Sequence, residues 1–185
     1  IILMRKCFSL LFLFLISNVF SQENEYFIDA NFDVDNRIIE IYQTIDFTNT
    51  SSNNLNYIIL NDWAHSYYNP TTPLGKRLSE DFTLNFQRST KNQRGFTSII
   101  NIMSDNVILD YKRLKENIDL VKVKLPDILK PDEKITITIE YKIKIPISDF
   151  TGYGIDKNNN INLSEWFITL AKIIDDNWLI ESNLD

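Results

Sequence analysis

The sequence predicts a mainly β domain, an antiparallel sandwich or curved sheet with one amphipathic helix. The first observation is the strict alternation of residues 135–145, where every odd position is apolar and every even position is polar. That period of two is typical of a strand with one buried and one solvated face, and we take it as the central strand. Similar short alternating stretches, joined by polar loops, are the second observation. A four-residue apolar spacing within residues 72–95 is the third, and it predicts the helix.

The amino-terminal stretches predict a hairpin. Residues 26–34 and 39–47 both alternate between apolar and polar side chains. Asp35 and Asn36 lie between them, and this pair favours a turn. A polar loop is expected to follow at residues 49–54.

Further strands are predicted before the central one. Their alternating or apolar stretches are residues 57–60, 97–103, 107–111 and 118–125. In the last stretch the apolar positions change parity between Leu120 and Val121, which is typical of a bulge. Pro126 and Pro131 are expected to bound the turn region that leads to the central strand.

The helix is predicted from its start, its stripe and its end. Thr72 is suited to cap a helix that has Pro73 at its first position, and Gly95 is suited to end it. The apolar residues that recur every four positions are Leu74, Leu78, Phe82 and Phe86. We interpret this stripe as the face that packs on the sheet, in preference to a partner-binding groove.

Residues 1–21 are predicted to be a signal peptide with upstream residues. A basic pair follows Met4, the apolar block 7–16 comes next, and cleavage is expected before Gln22. The block is shorter than the roughly 20 apolar residues of a membrane span, so a retained anchor is the less favoured alternative. Export to the periplasm, the cell surface or the medium is therefore expected. Because Met4 is preceded by other residues and Asp185 follows an apolar segment, we also expect a piece of a longer protein.

Composition narrows the classes of function. Loss of the signal peptide removes Cys7, so the exported domain has no disulfide and depends on its core for stability. The chain has 19 basic and 25 acidic residues and a net charge of −6, which becomes −8 without Arg5 and Lys6. This balance disfavours nucleic acid as a partner. The acidic residues are spread along the chain and indicate a soluble surface.

No catalytic constellation is recognisable in the residues themselves. His65 is the single histidine, and zinc needs at least three protein ligands. A triad using His65 lacks a Gly-x-Ser-x-Gly elbow, so we interpret His65 as a loop or interface residue. Gly152 and Gly154 lack the lysine-serine pair of a phosphate cradle.

Two other features have a structural and a functional interpretation. Residues 156–163 place oxygen side chains at alternate positions, as a calcium loop does. Ile161 replaces the required glycine and Phe167 the bidentate acid, so we favour a polar hairpin loop. Trp166, Phe167 and Trp178 are suited to line a ligand surface, but we expect them to fill a core or a domain interface.

Five segments carry a resemblance to a known family. They are Asn-Asp-Trp at 61–63, Pro-Leu-Gly-Lys-Arg-Leu at 73–78, Arg-Gly-Phe-Thr-Ser-Ile at 94–99, Leu-Ser-Glu-Trp-Phe-Ile-Thr-Leu-Ala at 163–171 and Asp-Asn-Trp-Leu-Ile-Glu-Ser-Asn-Leu-Asp at 176–185. In this order they resemble the amino-terminal domain of secreted bacterial zinc metallopeptidases of the aminopeptidase N family, the gluzincins. The likeness extends over nearly all of residues 22–185.

The resemblance implies a saddle-like β domain that packs against a thermolysin-like catalytic domain and helps to wall its cleft. The family's zinc ligands lie downstream, in a His-Glu-x-x-His helix and a later glutamate, and the glutamate of the motif acts as general base. None of these residues is present here, so no catalytic, cofactor-binding or metal-binding residue is assigned. The family's Gly-Ala-Met-Glu-Asn motif is also absent from residues 1–185.

Residues 22–185 are therefore expected to be the non-catalytic amino-terminal domain of an exported zinc metallopeptidase. Zinc and the peptide substrate would belong to the parent protein, and this part alone would be inactive. The alternative is a free-standing secreted β-sandwich that binds a glycan or a protein through exposed aromatic residues such as Trp63, Tyr67 and Tyr68.

Overall fold

The computed structural model describes residues 24–184, and their fold is mainly β. The predicted signal peptide, including Cys7, lies outside the described residues. Within the described part of the chain, no helix is long and apolar enough to cross a membrane.

Two antiparallel sheets form a sandwich. The strands are β1 Glu25–Asp33, β2 Ile38–Thr48, β3 Leu55–Asn61, β4 Phe96–Ser104, β5 Val107–Ile108, β6 Tyr111–Arg113, β7 Leu120–Leu129, β8 Lys134–Lys144, β9 Gly154–Ile155, β10 Ile161–Asn162, β11 Thr169–Leu170, β12 Ile173–Ile174 and β13 Asn177–Trp178. The first sheet has the strand order β1-β2-β8-β4-β5, and the second has the order β11-β3-β7-β6. Two small hairpins, β9-β10 and β12-β13, complete the described strands.

The central position of β8 confirms the prediction made from its alternation. β8 pairs with β2 on one side and with β4 on the other. Its odd-numbered side chains from Ile137 to Ile143 are fully buried between the sheets, where they meet Ile58 and Val123 of the second sheet. Full burial of an aliphatic side chain stabilises the fold by about 1.5–3 kcal/mol, so this one strand accounts for a large part of the core.

The predicted amino-terminal hairpin is also confirmed. β1 and β2 pair in register from Glu25 opposite Asp46 to Asp33 opposite Ile38. The backbone N–H of Asn36 donates to Oδ1 of Asp33 at 3.0 Å, and this hydrogen bond stabilises the turn between the two strands.

The bulge expected between Leu120 and Val121 is wrong. These residues pair in unbroken register with Asn61 and Leu60 of β3. Val121 faces the core between the sheets, whereas Leu120 contacts Ile59 in a small cluster on the opposite face of the second sheet. The parity change therefore arises because both faces of β7 are covered here.

The bulge lies further along β7, between Lys124 and Leu129, in the stretch that contains Pro126. Leu55 of β3 is opposite Leu129, but Tyr57 is opposite Lys124, so β7 contains the extra residues. Proline has no N–H to donate to a neighbouring strand and is tolerated at such an irregularity. Pro126 thus lies within a strand rather than at a turn, while Pro131 does lie in the turn before β8.

The predicted helix is shorter than its apolar stripe. It is the α-helix α1, Pro73–Glu80, and Thr72 caps it by accepting the Gly75 N–H on Oγ1 at 3.1 Å. Phe82 has φ = +59° and is 89% exposed, whereas Phe86 is fully buried. The helix therefore ends before the third apolar residue of the stripe.

Gly95 has a different role from the predicted helix end. A Cβ on Gly95 would lie 2.6 Å from the carbonyl oxygen of Lys144, at the start of β4. The glycine allows the chain to pass close to the end of β8.

A closing segment, residues 163–171, joins the two sheets. Its β11 pairs with β3 of the second sheet. On the side of the first sheet, the Ile168 carbonyl oxygen accepts from Nε2 of Gln43 at 2.6 Å, and the Ile168 N–H donates to the Tyr141 hydroxyl at 3.2 Å. Tyr141 in turn donates to Oε1 of Gln43 at 2.5 Å, so the polar groups of this buried site have partners.

Candidate functional site

The segment 61–63, which carries part of the family resemblance, leads from β3 into a 3-10 helix, Trp63–Tyr68. Asp62 precedes this helix and is 1% exposed. Its Oδ2 atom lies 2.6 Å from the Arg113 guanidinium, and its Oδ1 atom accepts from the Thr97 hydroxyl at 2.6 Å. We call Asp62, His65, Thr97, Arg113 and Asp119 the Asp62 cluster.

Burial raises the pKa of Asp62, and the charge of Arg113 opposes that effect. The Arg113 guanidinium also donates to the Ile118 carbonyl oxygen at 3.0 Å. A permanently charged guanidinium with two oxygen partners is suited to hold β3, β4 and β6 together. Both charged groups of this ion pair are thus bound to partners within the fold.

His65 is buried at the centre of the Asp62 cluster. Its Nδ1 atom lies 3.1 Å from the amide nitrogen and 3.0 Å from the carbonyl oxygen of Thr97, so either tautomer has a backbone partner. The ring stacks on Tyr68 with 5.1 Å between ring centroids. Burial, reinforced by the positive charge of Arg113, lowers the pKa of His65 to about 3. A histidine held neutral in this way packs against its neighbours and does not exchange protons near neutral pH.

We expect His65 to stay neutral from pH 8 down to pH 4. The His65 ring would bind a proton near pH 6.5 in the unfolded chain, but only near pH 3 in the folded chain. The contribution of neutral His65 to the free energy of unfolding is therefore fully present above pH 6.5. It is lost as the pH falls toward 3, by at most about 1.4 kcal/mol per pH unit.

Proton NMR of a protein without a histidine tag measures this pKa directly, because the chain has one histidine. The chemical shift of its ring protons should stay constant between pH 8 and pH 5. A titration with a midpoint near 6.5 would contradict the buried position of His65.

Asp119 connects the Asp62 cluster to the carboxyl-terminal residues. Its backbone carbonyl oxygen accepts from the Asp62 N–H at 2.7 Å. Its carboxylate accepts from the Ser182 hydroxyl and the Asn183 N–H, each at 2.7 Å. Burial raises the pKa of Asp119, and the two donors oppose that effect. This residue fixes the end of the described chain against the second sheet.

The three aromatic residues that are suited to line a ligand surface, Trp166, Phe167 and Trp178, pack against other aromatic side chains. Trp166 and Trp178 are half-buried and pack against the core, Trp166 against Phe32 and Trp178 against Phe47. Phe167 packs edge-on against Tyr26, with 6.0 Å between the ring centroids. Trp166 and Trp178 therefore pack against the core as expected, whereas Phe167 is half-buried and lies outside the core clusters.

The aromatic residues of the alternative interpretation are less exposed than expected. Tyr67 is 2% exposed, stacks on Tyr153 at 5.0 Å and lies within hydrogen-bond distance of the Thr151 hydroxyl, at 2.6 Å. Trp63 is half-buried. Tyr68 alone of the three is exposed, at 47%.

The loop that resembles a calcium site is a hairpin connection, as expected. β9 pairs with β10, and Oδ1 of Asp156 accepts the N–H groups of Asn158 and Asn160 at 2.7 and 2.9 Å. These hydrogen bonds occupy the carboxylate and lower the pKa of Asp156. Within residues 24–184 no three acidic, histidine or cysteine side chains are grouped so that they would hold a metal ion.

One surface feature was missed in the sequence. The lysine groove, a cavity of about 710 Å³ on the outer face of the second sheet, contains Tyr57, Lys112, Lys122 and Lys124. Lys122 and Lys124 alternate with buried residues of β7, which predicts a shared face. The position of Lys112 beside them depends on the pairing of β6 with β7, and the sequence alone does not reveal that pairing.

Comparison with known proteins identifies no relative: no protein-family model matches the chain, and no curated protein matches it.

Proposed function

We propose that residues 22–185 are the non-catalytic amino-terminal domain of an exported zinc metallopeptidase of the aminopeptidase N family. The parent would hydrolyse peptide bonds with water activated by zinc. This domain would act as a scaffold and as part of the wall of the cleft of a thermolysin-like catalytic domain. Residues 24–184 hold no group of side chains that fits a zinc site, and we expect the domain alone to be inactive.

The observation that carries the proposal is the convergence of four of the five segments that bear the resemblance. Asp62 binds Thr97 through its carboxylate and Asp119 through its N–H. Asn61 pairs with Thr169, and Asp119 binds Ser182. Segments 61–63, 94–99, 163–171 and 176–185 thus meet around one end of the second sheet, although the first and the last are more than 100 residues apart along the chain. Short matches that pack together in one structural unit support the resemblance more strongly than matches that are scattered over the fold.

The chemistry of that unit supports a scaffold rather than a reaction centre. The buried carboxylate of Asp62 is neutralised by Arg113, and His65 is held neutral by its surroundings. Ser182 and Asn183 are anchored on Asp119, so any following domain would start from a fixed position on the sandwich. A fixed connection is what a domain that positions a cleft wall requires.

Sequencing the gene beyond the codon for Asp185 tests the proposal. We expect an open frame containing a His-Glu-x-x-His motif and a later glutamate. The protein encoded by that full frame should hydrolyse peptide substrates and lose this activity when zinc is chelated, whereas residues 22–185 alone should not hydrolyse them. A stop codon directly after Asp185, or an open frame without the motif, would refute the assignment.

A free-standing binding domain is the second candidate, and the exposed aromatic pair Tyr68 and Phe96 favours it. Their rings lie 6.4 Å apart in an edge-on arrangement, and both are partly open to solvent. Such a pair offers one ring face to a glycan or to a protein side chain. An immediate stop codon, together with loss of binding in Tyr68→Ala, would support this second function.

A further inference from the structure

The lysine groove brings three positive charges together on a protein that is acidic overall. Lys112 of β6 lies directly opposite Lys122 of β7, and Lys124 follows on the same face. None of these three lysines forms an ion pair with another residue of the described chain. Like charges directly opposite each other on neighbouring strands destabilise a sheet. An anion bound between the three ammonium groups would reduce this repulsion.

The floor of the groove selects the kind of anion. The Lys122 ammonium lies 3.3 Å from the centroid of the Tyr57 ring, so this ring face is covered by a cation. A sugar ring cannot stack on a face that is already covered. A carboxylate, by contrast, has access to an ammonium group that the aromatic ring holds in place.

The remaining lining excludes a polyanion. Asp110 and Asp127 also line the groove, so the five charged groups sum to a net charge of only +1. Beside them lie Pro126 and Ile128, and Ile128 is 60% exposed. A ligand that fits this surface has a few carboxylates and an adjacent apolar group. An extended peptide with acidic and aliphatic side chains has that composition, whereas nucleic acids and sulfated polysaccharides do not.

We propose that the lysine groove binds an extended acidic segment of another protein. Carboxylates of the segment contact Lys112, Lys122 and Lys124, and an aliphatic side chain of the segment packs on Pro126 and Ile128. The volume of about 710 Å³ accommodates a few residues of such a segment. This inference does not depend on the peptidase assignment, because the groove is complete within residues 56–128.

Isothermal titration calorimetry of the purified protein with the peptide acetyl-Leu-Glu-Ser-Glu-Leu-amide tests the inference. We expect saturable binding that weakens at high salt, and at least a tenfold weaker affinity for the matched peptide with Gln in place of both Glu residues. Each of the substitutions Lys122→Gln and Lys124→Gln should weaken binding about fivefold. Lys91→Gln is the matched control, because Lys91 is exposed and does not line the groove.

Three results would overturn the inference. They are equal affinity for the Glu and Gln peptides, unchanged binding by the Lys122→Gln/Lys124→Gln double variant, and tighter binding of a sulfated oligosaccharide than of the acidic peptide. Circular dichroism of each variant verifies that the fold is intact. The assay needs neither zinc nor a catalytic domain, so its outcome is separate from that of the gene-sequencing experiment.

Discussion

Replacement of Arg113 by Met is expected to lower the free energy of unfolding by about 3–5 kcal/mol, because it leaves the buried carboxylate of Asp62 without a counter-charge. The loss should be largest at neutral pH. Arg113 lowers the pKa of Asp62, so its removal raises that pKa further, and the variant should recover part of its stability as acid neutralises the carboxylate. Urea denaturation at pH 7 and pH 5 measures both effects.

Two further variants show whether the lost charge pair is the cause. The double variant Asp62→Asn/Arg113→Met removes both charges and should be more stable than Arg113→Met alone. Arg88→Met removes an exposed guanidinium and should change stability by no more than about 0.5 kcal/mol. If Arg113→Met and Arg88→Met have equal stability, the ion pair is not a structural element of the fold.

Phe86→Ala is expected to cost about 3–5 kcal/mol, whereas Phe82→Ala should cost less than about 0.5 kcal/mol. Phe86 is fully buried and its ring lies 4.8 Å from that of Phe150. Phe82 is 89% exposed. The two residues have the same chemistry and are four positions apart, so each is the control for the other.

Thermal and urea denaturation of both variants measure this difference. A helix that continued from Pro73 through residue 86 would bury Phe82 and Phe86 on one face, and both substitutions would then be costly. Equal losses would contradict the end of α1 at Glu80.

The strands were predictable wherever one side faces the core and the other faces water. The central strand and the amino-terminal hairpin are of this kind, so alternation alone located β1, β2 and β8. Leu120 misled the prediction because a local cluster covers the second face of β7. Alternation cannot distinguish a strand that is buried on both faces from one that is interrupted by a bulge.

The helix shows a different limit of sequence reasoning. The capping pair Thr72 and Pro73 located its start correctly, since a cap depends on neighbouring residues. Its end was mislocated because the apolar stripe continues into a turn, where Phe86 reaches the core without helical geometry. Apolar residues that are four positions apart are therefore buried either on one face of a helix or, as Phe86 is, in a turn that follows the helix.

The polar sites depended on pairings between distant parts of the chain. Nothing near Asp62 in the sequence indicates Arg113 as its partner, since 51 residues separate them. Lys112 and Lys122 become neighbours only through the register of β6 and β7. That His65 is the single histidine, in contrast, is evident from the sequence itself.

The position of the closing segment has a consequence for the order of folding. Gln43 and Ile168 are 125 residues apart, and Tyr26 is linked to Leu170 over 144 residues. Strands made early must wait for residues that are made much later, which is typical of β proteins that fold slowly. Until the closing segment arrives, the polar ends of Gln43 and Tyr141 have no backbone partner, and the nascent domain exposes an incomplete apolar interior to chaperones or to other unfolded chains.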